Sequence, residues 1–79
     1  MRNPVKELKE EQNWSIQEFA AAAGVSFSTA RQNIEGSVKN LNDDVIELFK
    51  LLGYDPDEIQ KNYKKFRKAK QQELINQAG

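Results

Sequence analysis

An all-α fold of five helices, the last one long, is predicted by three features of the sequence. Apolar residues recur at helical spacing, most clearly Leu41, Val45, Leu48 and Leu52, the pattern of a helix that buries one face. Each periodic segment opens on a residue whose short side chain can cap a helix: Asn3, Ser15, Ser26, Asn40 or Asn42, and Asp55. Gly24, Gly36 and Gly53 stand where the second, third and fourth segments stop, and glycine tolerates the left-handed backbone that closes a helix.

Asn3 caps the first helix, with Pro4 at its first position, where the missing N–H costs nothing. Val5 and Leu8 point to the core, Asn13 ends the helix, and Trp14 plugs the core before the next. Ser15 and Glu18 form a capping box, and Ile16, Phe19, Ala20 and Ala23 give the second helix its apolar face. The third helix presents Ser28, Arg31 and Gln32 on one side and Phe27, Ala30 and Ile34 on another. Residues 37–40 form a loop whose only cation is Lys39. In the fourth helix Asp43 and Asp44 suit the positive end of the dipole. Ile46 and Phe49 widen its apolar stripe beyond what a small bundle needs, which leaves part of it for an interface. Asp55, Pro56 and Glu58 start the fifth helix, and Ile59, Tyr63 and Phe66 continue it. Leu74 and Ile75 can prolong it, with an end expected to fray.

Composition narrows function by exclusion. The chain has 79 residues, enough for one small domain with a modest core. It has no cysteine and no histidine, which removes disulfides, zinc fingers, thiolate nucleophiles and imidazole catalysis together. No apolar run approaches the roughly 18 residues of a membrane span, and the N-terminal MRNPVKELKEE lacks the apolar region of a signal peptide. The expectation is a cytoplasmic protein without cofactor or metal. Asp43/Asp44 and Asp55/Asp57 sit at helix starts, where capping explains them, and no base or nucleophile accompanies them, so no enzyme is expected. Charge is unevenly placed. Residues 1–60 carry 6 Lys/Arg against 11 Asp/Glu, a balance of −5, and residues 61–79 carry 6 Lys/Arg against Glu73 alone, a balance of +5.

The most informative stretch is Ser15 to Glu35, SIQEFAAAAGVSFSTARQNIE. Ala20 and Gly24 are small enough for two helices to cross closely, and Val25 supplies an apolar plug for the turn. Two short helices joined in this way make a helix-turn-helix. With Phe19-Ala20 followed after three residues by Gly24-Val25-Ser26, the chain resembles the Cro/cI-type (lambda-repressor-like, XRE) proteins of phages and bacteria, from about Val5 to Ile59. The resemblance implies a five-helix lambda-repressor-like DNA-binding domain at 1–60, followed by a basic C-terminal helix or tail at 61–79. It also implies a third helix lying in the major groove. Carried over by position, Ser26, Phe27, Ser28, Arg31 and Gln32 would face base edges, and Gln17, Thr29, Lys39 and Asn40 would hold phosphates. Arg31 can grip guanine with its fork, and Gln32 can pair with adenine. Relatives mostly bind palindromes as two-fold dimers, so a homodimer is implied, with Ile46, Phe49 and the last helix as candidate surface.

Three departures from the family pattern bear on function. Ile16 stands where a phosphate-holding Gln is frequent. Ala30 and Asn33 stand where branched apolar residues usually plug the core, with Ile34 one place later, so the third helix could pack through Phe27, Ala30 and Ile34. Phe27 itself reads as core, as a thymine-methyl contact, or as an anchor for a protein. A regulator that binds double-stranded DNA by sequence is the leading expectation. The second is a small phage-type helix-turn-helix protein that binds a partner protein, as an antirepressor, repressor modulator or anti-defence protein. The basic run Lys61, Lys64, Lys65, Arg67 and Lys68 suits phosphates or an acidic partner equally.

Overall fold

The computed structural model describes residues 1–78 and contains five helices: α1 (Pro4–Glu11), α2 (Ile16–Ala23), α3 (Phe27–Glu35), α4 (Asp43–Leu51) and α5 (Pro56–Ala78). Gly79, the last residue of the basic segment 61–79, lies outside the described residues.

The local chemistry explains the helix ends. Asn3 Oδ1 accepts from Val5 N to start α1. Ser15 and Glu18 bond reciprocally at the start of α2, at 3.1 and 2.9 Å, which satisfies two otherwise unpaired N–H groups. Asn42, not Asn40, caps α4 by accepting from Asp44 N. Asp55 caps α5 by accepting from Asp57 N. Gly24 adopts φ +71, and Val25 N closes onto Ala20 O at 3.0 Å. A Cβ at Gly24 would meet nothing within 4 Å. Glycine is there for its left-handed backbone and not, as the sequence suggested, for a close helix crossing. Gly36 is different: at φ +79, a Cβ would fall 2.6 Å from Phe66 Cε2, so both backbone and space demand glycine.

The helix pairs α2–α3, α4–α5, α1–α3, α2–α4 and α1–α5 pack around one core. Val5 and Leu8 enter it from α1, Phe19 and Ala20 from α2, Val45, Leu48 and Phe49 from α4, and Ile59 and Tyr63 from α5. Each large side chain buried this way contributes about 1.5–3 kcal/mol. Trp14 is half-buried and meets Phe19 edge-on at 6.3 Å. The molecule measures 40 × 24 × 20 Å. Its long dimension follows α5, whose 23 residues span about 34 Å at a helical rise.

Four expectations are corrected. Phe27 is 47% exposed and lies outside the core, while Asn33, 1% exposed, takes a core position with Ala30 and Ile34. Phe49 is 1% exposed and edge-on to Tyr54, so it is core and not interface. Leu52 lies beyond the last helical residue of α4 and is 44% exposed instead of completing the stripe. The end of α5 stays helical through Ala78 instead of fraying.

The buried polar residues are held by a relay across three helices. Asn3 Nδ2 donates to Asn33 O and Ile34 O, at 3.0 and 2.8 Å, and so caps the end of α3 while its oxygen caps the start of α1. Asn33 Nδ2 donates to Thr29 O at 2.8 Å, and Asn33 Oδ1 accepts from Asn42 N at 3.0 Å, just before α4. Among the described residues no buried side-chain nitrogen or oxygen lacks a partner. Tyr63, in the first half of α5, donates its hydroxyl to Val38 O at 2.6 Å and ties the loop after α3 to the last helix. Burial pushes the Tyr63 phenol above its ordinary value of 10.0, and the Arg67 charge pulls it back in part.

Two outcomes follow from these contacts. Asn3→Ala and Asn33→Ala should each cost about 1–3 kcal/mol in denaturant unfolding, because each leaves backbone groups of another element without partners. The double variant should cost less than the two together, since both act on the same relay. For Tyr63, the folded chain holds the phenolic proton more tightly than the unfolded chain. Its contribution to stability is therefore complete below pH 10 and is lost as pH rises through the raised folded value. Thermal melts from pH 8 to 11 should show that loss in the wild type and a shallower one in Tyr63→Phe. The variant should also lose about 0.5–1.5 kcal/mol at neutral pH.

Candidate nucleic-acid interface

With Ala30, Asn33 and Ile34 turned inward, α3 shows the opposite edge to solvent. That edge carries Ser28, Arg31, Gln32 and Glu35, all exposed and spaced i, i+3, i+4 and i+7 on one helical face. Phe27 projects at the start of the same helix. The relay of Asn3 and Asn33 fixes the rotation of α3 about its axis, and thereby decides which side chains face out.

The other expected base-facing and phosphate-facing residues fall into two groups. Ser26 and Thr29 are occupied by capping. Ser26 Oγ accepts from Thr29 N at 3.1 Å and donates to Thr29 Oγ1 at 3.0 Å, and Thr29 is half-buried. Their hydroxyls shape the start of α3 more than they reach outward. Gln17, at the second position of α2, and Lys39, in the loop after α3, are exposed. The pairing of Arg31 is local: its Nε donates to Glu35 Oε1 at 3.0 Å. That pairing has the i, i+4 spacing of a helical ion pair and was legible in the sequence, although Glu35 did not figure among the expected site residues.

The basic stretch of α5 divides between two faces. Lys61, Lys64, Lys65 and Lys68 lie together, lining one shallow depression with Asp57 and Gln60. None of them has an ion-pair partner among the described residues. Arg67 is half-buried on a different face of α5, in a groove that Phe66, Lys70, Leu74 and Ile75 line together with Glu35 and Gly36 at the end of α3. The four-lysine face is joined to the loop after α3. Lys64 shares a cleft of about 180 Å³ with Asn40, Leu41, Asp43 and Tyr63, and the Tyr63–Val38 bond holds that loop in place. Sequence reasoning missed this tie, because nothing local to Tyr63 or Val38 marks a contact between residues 25 apart.

Among the described residues, no group of three or more acidic side chains is placed to hold a metal ion, and no helix is long and apolar enough to cross a membrane. The acidic side chains Glu7, Glu11, Asp55 and Glu58 line a cleft of about 300 Å³ between α1 and the start of α5. Tyr54 donates to Glu11 there at 3.4 Å, and the Glu11 charge pushes its phenol above 10.0.

Neither a curated protein nor a solved structure matches the chain. A model of the helix-turn-helix family does match, over residues 5–59, which include all of α2, the turn at Gly24 to Ser26, α3 and α4. In that architecture the second helix of the motif is the recognition helix, and α3 holds that place in this chain. The chain belongs to the lambda-repressor and Cro-like helix-turn-helix family, a family of DNA-binding transcriptional regulators.

Proposed function

We propose that this protein is a sequence-specific regulator of the phage or bacterial Cro/cI type and reads the major groove of double-stranded DNA with α3. The observation that carries the reading is the solvent-facing edge of α3, where Ser28, Arg31 and Gln32 project from a helix whose other edge is locked into the core. Arg31 presents its fork to guanine O6 and N7, Gln32 pairs with adenine N6 and N7, and Phe27 lies against a thymine methyl. Gln17 and Lys39 hold phosphates on either side. Ser26 and Thr29 serve chiefly by fixing the start of the helix. Lys61, Lys64, Lys65 and Lys68 extend the phosphate track beyond the loop after α3, and so offset the −5 balance of residues 1–60. Arg67 lies off this track. A homodimer, which the family resemblance implies, has Leu74 and Ile75 on the exposed end of α5 as available apolar surface.

A second reading has one observation in its favour. Phe27 is a large aromatic side chain exposed beside an acidic body, a combination that also suits binding of a partner protein such as a repressor.

Titration with random duplex DNA at several salt concentrations tests the first reading, because the salt slope counts the phosphates neutralised. Changing Lys61, Lys64, Lys65 and Lys68 together to Gln should flatten that slope by about 3–4 units. All four side chains are exposed, so the fold should survive. Absence of any affinity for duplex DNA at low salt would overturn the reading and make Phe27 the first residue to change in a search for a protein partner. Once a preferred sequence is known, Arg31→Ala should cost about 1–3 kcal/mol on it and relax preference at one base pair. An equal loss on random DNA would reduce Arg31 to a phosphate contact.

A further inference from the structure

Arg31 is the only cation on the exposed edge of α3, and its guanidinium is already engaged. Nε donates to Glu35 Oε1, and Arg31 makes no other side-chain hydrogen bond among the described residues. A guanidinium has five N–H donors in a rigid plane, one on Nε and four on the two terminal nitrogens. Guanine can be gripped end-on, by both terminal nitrogens, or side-on, by Nε with one of them. Glu35 occupies the donor that the side-on grip needs and leaves the end-on fork free.

We infer that Glu35 is a positioning residue that sets base specificity: it holds Arg31 so that the arginine meets guanine end-on, and its carboxylate offsets the pull of that arginine toward phosphates. The inference rests on the DNA-binding reading above. The ion pair does little for the fold. Its side chains are 60% and 54% exposed, and exposed helical pairs contribute almost nothing in water. Its value rises when a DNA surface displaces that water, because the same charges then interact through a medium of lower effective dielectric. An arginine tethered beforehand also loses less rotamer freedom when it docks on a base than a free one does. On the generic backbone the balance reverses. Non-specific binding comes from phosphate contacts, and a carboxylate beside the only cation of α3 repels those phosphates. One side chain thus strengthens the specific contact and weakens the non-specific one, and the ratio of the two is what a regulator needs.

The test is selection of bound sequences from a random duplex pool, with the full-length chain, Glu35→Gln, Arg31→Ala and the double variant, each first checked by thermal melt. The wild type should enrich guanine at one position. Glu35→Gln should lower that enrichment by about tenfold and tighten binding to unselected duplex by a few-fold, to roughly the extent of one added phosphate contact. Arg31→Ala should abolish the guanine enrichment. In that background Glu35→Gln should change no base preference, as expected of a residue that acts through Arg31. Unchanged guanine enrichment in Glu35→Gln would overturn the inference. So would loss of a cytosine preference that Glu35→Gln causes with or without Arg31, since Glu35 would then be reading a base itself. A wild type that binds no duplex at low salt overturns the DNA-binding reading, and this inference falls with it.

Discussion

The fold depends on a buried relay of hydrogen bonds that starts at Asn3 and ends just before α4. An isolated helix leaves several N–H groups unpaired at its start and several carbonyls unpaired at its end. Packing three short helices end against side brings such groups into the interior, where each one left unpaired costs about 1–3 kcal/mol. Asn3 meets two of these demands at once, with its oxygen on α1 and its amide nitrogen on the last carbonyls of α3. Asn33 meets two more, on Thr29 O within its own helix and on Asn42 N at the approach to α4. An apolar residue at either place would fill the volume and leave the backbone groups unpaired.

The relay also has a functional consequence. A nine-residue helix has no means of its own to choose which edge faces the solvent. Ala30 and Ile34 alone leave latitude in that rotation. Two buried asparagines with directional bonds remove it, and they turn Ser28, Arg31, Gln32 and Glu35 outward as a set. The polar interior of the domain and the polar edge presented to solvent are two sides of one helix, so the bonds that stabilise the first orient the second.

The charge distribution follows a similar division of labour. Most acidic residues of the body lie at helix starts, where capping and the helix dipole explain them, or in the cleft between α1 and α5. Four lysines without ion-pair partners among the described residues, Lys61, Lys64, Lys65 and Lys68, share one face of α5, and Tyr63 bonds that helix to the loop after α3. A chain of zero net charge can in this way present a local basic surface without a basic body. Steering of a polyanion depends on where charge sits as well as on the total.

Much of this was written in the sequence. The five helices, their caps at Asn3, Ser15, Ser26 and Asp55, the turn at Gly24 and the apolar stripes of α2 and α4 all follow from patterns within a few residues of one another. Those patterns reflect local physics: backbone groups at helix ends and the 3.6-residue repeat. The outward edge of α3 was legible for the same reason, through the spacing of Ser28, Arg31 and Gln32. The tertiary structure alone decided what depends on distant partners. Periodicity does not fix how far a short helix is rotated, so Phe27 and Asn33 could each be taken for core. Asn33 is inside because its amide meets Asn42 nine residues away and its carbonyl meets Asn3 thirty residues back. Phe27, on the first turn of α3, is left exposed although it falls at helical spacing from the buried Ala30 and Ile34. The fate of the basic run was settled in the same way. Its composition announced a cationic segment, but the structure divides it: Lys64 borders the loop after α3, which the bond from Tyr63 to Val38 holds, while Arg67 lies on another face of α5, in a groove with Glu35 and Gly36 at the end of α3.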